Sequence, residues 1–504
     1  MPVQSHPSSH ICFPERRFRT PAAVQIGPFV VSHVQLWHDR TSALNEEAAF
    51  RYRVNAVWFE PDPEAVGAYT RFVSELIRTR VKKHCARVPL DFEVFLALCK
   101  CYSEGRAEEM RVVWRGRPSD FIRDVAKILR RVHAFLKDEG FDMAKAGRGI
   151  YSRPDLAKCY FGRYIKIIEE ELYKWPEFVK NVPVTELPQY IENVLGSALY
   201  YYVVDYSSYE SVFTPTFYAA TDGQLYEWCG LPKIIMKILG GKQHIHWSSG
   251  RSRIEGRRMS GEVNTSLGNG FANIAICKFV ASQCGDPNAR VVVEGDDAII
   301  ACSVPLDELH FNRLGIKVDL KLVPTPGHAG FCQQYWDVDH QRMLSPSYMM
   351  RVGWSSKCPV NASAEFRMQL LAAKLMSLSW VAPHSPLFWN LSRLVNCSKA
   401  RFHRDYWTVR KLAEMGMQVP TTKGRWIVIP FTPNADIGPP SDSTRSFFEG
   451  LYGLTPTQQL AIENDPFCSI HLRNWLDTFA PDTARAAACS VFTVSEWTKR
   501  LQHT

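Results

Sequence analysis

No run of 18 or more apolar residues occurs in this 504-residue chain; the best candidate, near Leu370 to Ala382, is broken by Lys374. A bilayer-crossing helix needs about 20 such residues, so the chain is not expected to span a membrane by itself. The 14 cysteines form no CxxC pair. The nearest approach to a zinc cluster, His84, Cys85, Cys99 and Cys101, has the spacing of no common finger. The opening residues, MPVQSHPSSH, lack a basic start and an apolar stretch, so no secretory signal is expected there. Reduced thiols in a cytosolic setting follow. No internal repeat or low-complexity tract is present, which excludes solenoids and biased linkers.

What is present is the composition of a globular protein, 46% apolar and 22% charged. The length predicts about three domains or one large multi-lobed unit. A formal charge of +9 with a pI near 8.8 favours polyanionic partners, though a charge serving only solubility has the same sign.

From about Glu64 to Ile128 apolar residues recur at helical spacing with basic residues between them. Residues 145–175 then crowd Lys145, Arg148, Arg153, Lys158, Arg163 and Lys166 into one segment. In GRGIYSRP, alternation puts Arg148, Ile150 and Ser152 on one side of an extended piece that Pro154 ends. Guanidinium groups on a rigid strand suit phosphate oxygens, and a solvent-facing basic strand is the plainer alternative. LYYYVVDYSSYESVF reads as a strand ending at Asp205, with Glu210 five residues on. DGQLYEWCGLPKIIMKIL predicts one helix, followed by Gly240-Gly241 and a basic hairpin.

MSGEVNTSLGNGFANIAICKFVA predicts a Ser260-Gly261 turn entering a helix that runs to about Ala281. Thr265 and Asn269, four apart, share a face of it, and an amide there facing Glu210 would make a site for a sugar hydroxyl. Gly268 and Gly270 in a helix interior each cost about 1 kcal/mol relative to alanine, so something must approach the backbone closely. The stretch 291–300, VVVEGDDAII, has two apolar runs around an acidic tip, the pattern of a β-hairpin with buried strands. Adjacent carboxylates at that tip admit two readings, an ordinary turn or a site held together by a cation. RLGIKVDLKLV is strand-like, with Lys317 and Lys321, and FCQ follows. The remainder from about His340 reads as helices around a Pro/Gly-rich interruption at 420–440, where Arg425 and Trp426 make either a surface loop or a stacking platform.

Taken in order, RGIYSR, DYSSYE, SGEVNTSLGN, EGDD, a lysine-bearing strand and FCQ resemble motifs F, A, B, C, D and E of viral RNA-dependent RNA polymerases of positive-strand RNA viruses. The wording GRRMSGEVNTSLGN is especially similar to the tombusvirus-like members. The resemblance covers roughly residues 145–335 and is specific because order and spacing must agree together. It implies an α+β fold of the right-hand type, with fingers, an antiparallel palm sheet and a mostly helical thumb. The boundaries expected are 1–195 for the N-terminal region and fingers, 196–225 and 259–340 for the palm, 226–258 for a fingers insertion and 341–504 for the thumb.

By the same resemblance Asp205 and Asp296 are the metal-binding aspartates, with Asp297 a neighbouring participant. Arg148 and Arg153, with Lys145 as a looser match, lie over the incoming triphosphate. Ser260 and Gly261 touch template and nascent base pair. Thr265 and Asn269 check the ribose with Glu210, a position that is most often Asp in the family. Lys317 is the proton donor to pyrophosphate, with Lys321 its competitor. The implied cofactor is a pair of Mg²⁺ ions, for which Mn²⁺ can substitute. The implied partners are RNA template, nascent RNA, ribonucleoside triphosphates and a membrane-anchored viral or host replication factor, at membrane-associated sites in the host cytoplasm. A reverse transcriptase is the first rival, disfavoured by the Thr265/Asn269 helix. A catalytically silent RNA-binding scaffold is the second, disfavoured by intact Asp205, Asp296 and Asp297.

Overall fold

A computed structural model describes chiefly residues 42–99, 104–117, 126–137, 145–344 and 438–464, with short pieces between them. Most of the helical remainder expected from about His340, and most of the 420–440 interruption, lie outside the described residues. Within that interruption Thr421–Thr422 pairs antiparallel with Arg425–Trp426.

The elements that position the site, in chain order, begin with β1 (His10–Cys12) and α1 (Pro63–Arg80). Asp62 caps α1 by accepting from the Glu64 amide, Pro63 fits its first turn, and Val66, Tyr69, Val73 and Ile77 bury one stripe. Strands β2 (Arg131–Leu136) and β3 (Gly149–Ser152) follow. Pro154 ends β3 and opens α2 (Asp155–Leu172), which buries Ala157, Phe161, Ile165, Ile168 and Leu172. Next come α3 (Leu187–Leu195), β4 (Tyr200–Tyr206), α4 (Gln224–Cys229) and α5 (Lys233–Leu239). The single helix expected over 222–239 is therefore two. Gly230, at φ 81°, takes the left-handed closing position of α4, and Pro232 cannot continue it.

The basic hairpin β5 (Lys242–His246) and β6 (Arg251–Glu255) is followed by α6 (Thr265–Gln283). Last among these come β7 (Arg290–Glu294), β8 (Asp297–Cys302) and β9 (Val318–Val323).

Two sheets result. One has the order β1-β6-β5-β2-β3, with β5 and β2 parallel and the other pairs antiparallel. The other, β7-β8-β4-β9, is antiparallel throughout. Residues 202, 204 and 206 of β4 face the largest core, where α6 is buried on nearly every side. Tyr201 and Val203 face a second core with Leu187, Ile191 and Trp336. A helix apolar all round belongs inside, and α6 is the pillar behind this sheet.

Candidate active site

The hairpin expected at 291–300 forms, and its second strand pairs with the strand carrying Asp205, Ala298 against Val204 through Cys302 against Tyr200. Val and Ile at alternating positions serve the two cores, while the turn needs Gly295 at φ 65°. The register carries Asp297 to the end of β4 beside Asp205. Glu294 pairs with Asp297, and Asp319 of β9 pairs with Asp205. Since directly opposed residues share a face, Glu294, Asp297, Asp205 and Asp319 make one row of carboxylates across four strands.

Such a row repels itself, and its environment shows how it is held. Glu294 pairs with Lys180 at 2.6 Å. Desolvation first, then the charge of Asp296, raises the Asp297 carboxyl to about 6, against hydrogen bonds from the side chain and main chain of Cys332. Cys332 and Gln333 of FCQ stand at φ 51° and 66°, an unusual pair of left-handed non-glycine residues at the segment that brings this donor. Asp205 is raised by desolvation and then by Asp319, with Lys145 and Arg148 opposing. Asp296 is raised by desolvation, with further raising by Glu210 and Asp205 and lowering by Arg148. Asp205, Asp296, Asp297, Glu210, Lys145 and Arg148 therefore share one electrostatic neighbourhood.

Among the described residues no three His, Cys, Asp or Glu side chains group so as to hold a metal ion by themselves. Mg²⁺ keeps waters and substrate oxygens and asks for only one or two protein carboxylates. The crowded carboxyls of Asp205, Asp296 and Asp297, each disfavoured as an anion by burial first and then by neighbouring carboxylates, fit such an ion.

Other residues fall as follows. Arg148 and Lys145 are exposed on the segment that leads into β3. Arg153 is not with them: at 2% exposure it turns inward, ion-paired with Glu262 at 2.7 Å and donating to the Leu129 carbonyl at 2.8 Å. Alternation puts it on the opposite side of the chain from Arg148, and the expectation of a triphosphate contact is corrected accordingly. Ser260 and Gly261 pack on β3, with the Tyr151 amide donating to the Ser260 carbonyl at 2.7 Å and Gly261 at φ 97°.

Glu210 and Asn269 each have a partner of their own. Glu210 accepts from Ser260 at 3.1 Å and faces Arg53 at 4.0 Å, while Asn269 Oδ1 accepts from Arg258 Nε at 3.1 Å. Thr265 Oγ1 donates to the Met259 carbonyl at 2.7 Å. Gly268 and Gly270 are indeed closely approached, by the Arg258 guanidinium and the Phe178 ring. Lys317 lies beside Ser207, its Nζ 4.6 Å from the Trp58 ring centre; Lys321 is opposite Val203, behind the carboxylate row.

Two residues escaped the sequence reading. Asn273 donates to the carbonyls of Gly295 (3.1 Å) and Asp297 (3.3 Å) and accepts from Tyr206, pinning the acidic turn to α6. The spacing Thr265, Asn269, Asn273 was the available signal. Asp319 was legible only as one exposed position in an alternating strand.

The mixed helix and sheet architecture with its antiparallel sheet agrees with an α+β polymerase. The family described as "Viral RNA dependent RNA polymerase" matches residues 240–316, the stretch that runs from the basic hairpin through α6 and the acidic turn. The chain is similar to the RNA-directed RNA polymerase of Maize chlorotic mottle virus, 25% identical over 34% of this chain and 20% of that protein. It is similar also to that of Panicum mosaic virus, 24% identical over 52% of this chain and 27% of that protein. For that of Melon necrotic spot virus the figures are 24%, 68% and 41%. The chain thus spans between a fifth and about two fifths of the length of these relatives. The motif resemblance is supported by all four findings: the chain is similar to viral RNA-dependent RNA polymerases.

Proposed function

We propose that this chain synthesises RNA on an RNA template from ribonucleoside triphosphates, as part of viral genome replication and transcription. The observation that carries this reading is the pairing of β8 with β4, which brings Asp296 and Asp297 to the end of the strand holding Asp205. The antiparallel sheet and α6 would be the palm, the β1-β6-β5-β2-β3 sheet part of the fingers, and residues 341–504 the thumb.

Asp205 and Asp296, with Asp297 beside them, would hold Mg²⁺, which supplies charge stabilisation to the attacking and leaving oxygens of an in-line displacement at the α-phosphorus. Arg148 and Lys145 sit where they offset the carboxylates and can neutralise a triphosphate. Glu210, Thr265 and Asn269 take the ribose, and Ser260 with Gly261 meets the nascent pair. Lys317, nearer the acidic end than Lys321, is the better placed acid for departing pyrophosphate. Base pairing supplies sequence choice, so the protein grips backbones by charge and shape. Among the described residues no helix is long and apolar enough to cross a membrane. We place the activity at membrane-associated sites in the host cytoplasm, reached through a membrane-anchored replication factor.

The test is ribonucleotide incorporation by purified protein on a primed RNA template. Extension with ribonucleotides supports the reading; preference for deoxynucleotides would indicate a reverse transcriptase, and RNA binding without product a scaffold.

A further inference from the structure

Beneath the first turns of α6 lies a buried polar chain. The Arg258 guanidinium is 1% exposed, stacks 3.7 Å from the Phe213 ring centre and donates through Nη1 to the Asp222 carboxylate. Asp222 is held in turn by Thr221 Oγ1 and the Tyr226 hydroxyl, each at 3.2 Å, and Asn264 Nδ2 donates to Tyr226 at 2.9 Å. Room for the guanidinium exists because residue 268 is glycine; a Cβ there would collide with Arg258 Nη1. The last contact of the chain is Arg258 Nε to Asn269 Oδ1 at 3.1 Å.

That contact fixes which end of the Asn269 amide meets the cleft. A guanidinium has donors and no acceptor, so the amide must turn its oxygen to Arg258 and present its NH₂ on the other side. Nδ2 of Asn269 takes no partner among the described residues. A presented NH₂ can only donate, so its partner must be an acceptor.

The same segment also holds Glu210: Ser260, two residues beyond Arg258, donates to it at 3.1 Å, and its neighbour Tyr209 donates to the Asn269 carbonyl at 3.1 Å. A ribose 2′-hydroxyl completes the arrangement, accepting from Asn269 and donating to Glu210. A deoxyribose has no oxygen there and leaves the NH₂ unpaired.

We propose that Arg258 is a positioning residue for sugar selection, orienting the Asn269 amide as a hydrogen-bond donor to the 2′-hydroxyl of the incoming nucleotide. The inference rests on the polymerase reading above. Primed extension is measured with ribonucleotides and with 2′-deoxynucleotides, comparing kcat/KM for wild type, Arg258→Lys, Gly268→Ala and Asn269→Asp.

Arg258→Lys keeps the charge beside Asp222 but loses the Nε geometry, and Gly268→Ala displaces the guanidinium. Each should lower ribose selectivity about tenfold, the effect of one misplaced hydrogen bond, through a raised KM for ribonucleotides with the deoxynucleotide KM unchanged. Asn269→Asp keeps an acceptor for Arg258 but removes the NH₂, and should lose the same selectivity with its melting temperature retained. Where either of the first two fails to fold, Asn269→Asp decides. Selectivity unchanged in Asn269→Asp, or kcat falling alike for both sugars in the folded variants, overturns the assignment of Arg258. A wild-type protein that extends with neither sugar brings down the polymerase reading itself, and this inference with it.

Discussion

Asp319 stands directly across the β4–β9 pair from Asp205. Two like charges at that separation destabilise a sheet by about 0.2–1 kcal/mol, and nothing in the cores requires an acid at either position. The pair fits the metal site proposed above. Asp319→Asn is expected to raise the melting temperature by up to about 1 °C in the presence of a chelator, a chain of this length needing about 1 kcal/mol per degree. The further gain on adding Mg²⁺ should shrink. A variant that melts lower in chelator would show that the opposition is not what it relieves.

The acidic turn depends on Asn273 as much as on its own sequence. Removing that amide strips a bond from the Gly295 and Asp297 carbonyls and leaves the buried Tyr206 hydroxyl with only the Cys277 thiol. Asn273→Ala should cost about 3 kcal/mol in urea denaturation, with product formation falling further than stability alone explains.

Arg148 and Arg153 separate by assay. Arg148→Ala should raise the KM for ribonucleotides about tenfold with little change in melting temperature, since it is exposed and acts on charge at the site. Arg153→Met leaves Glu262 buried without its cation and should cost about 3 kcal/mol, and Glu262→Gln added to it should restore part of that loss.

A third pair gives a pH signature. Burial raises the Glu177 carboxyl, but Arg80, bonding both oxygens at 2.7 and 2.9 Å, and Lys278 prevail and hold it below its usual range. A depressed carboxylate stabilises the fold above its unfolded pKa and loses that contribution as pH falls through the folded value. Glu177→Gln should cost about 2 kcal/mol at pH 7, and the difference from wild type should narrow as pH drops below about 4. Parallel denaturation series at several pH values check this.

Much of the centre was legible because its signals are local. Val and Ile around Glu-Gly-Asp-Asp give a hairpin, and paired glycines in α6 announce close approach by Arg258 and Phe178. The inward turn of Arg153 was not legible, because its partner Glu262 arrives from a distant segment and only tertiary packing brings them together. The opposition of Asp319 and Asp205 depends on register between strands far apart in sequence, which no local pattern encodes. Asn273 hid within an apolar helix, and Cys332 reaches Asp297 partly through its main chain, which sequence does not display.

The central claim is that Asp296 belongs to a polymerising centre. Purified wild type and Asp296→Asn, matched for melting temperature, should be given a primed RNA template, four ribonucleoside triphosphates and Mg²⁺. The account predicts template-length product from wild type and a loss of at least about a thousandfold in the variant. Product formed by the variant at the wild-type rate would contradict it.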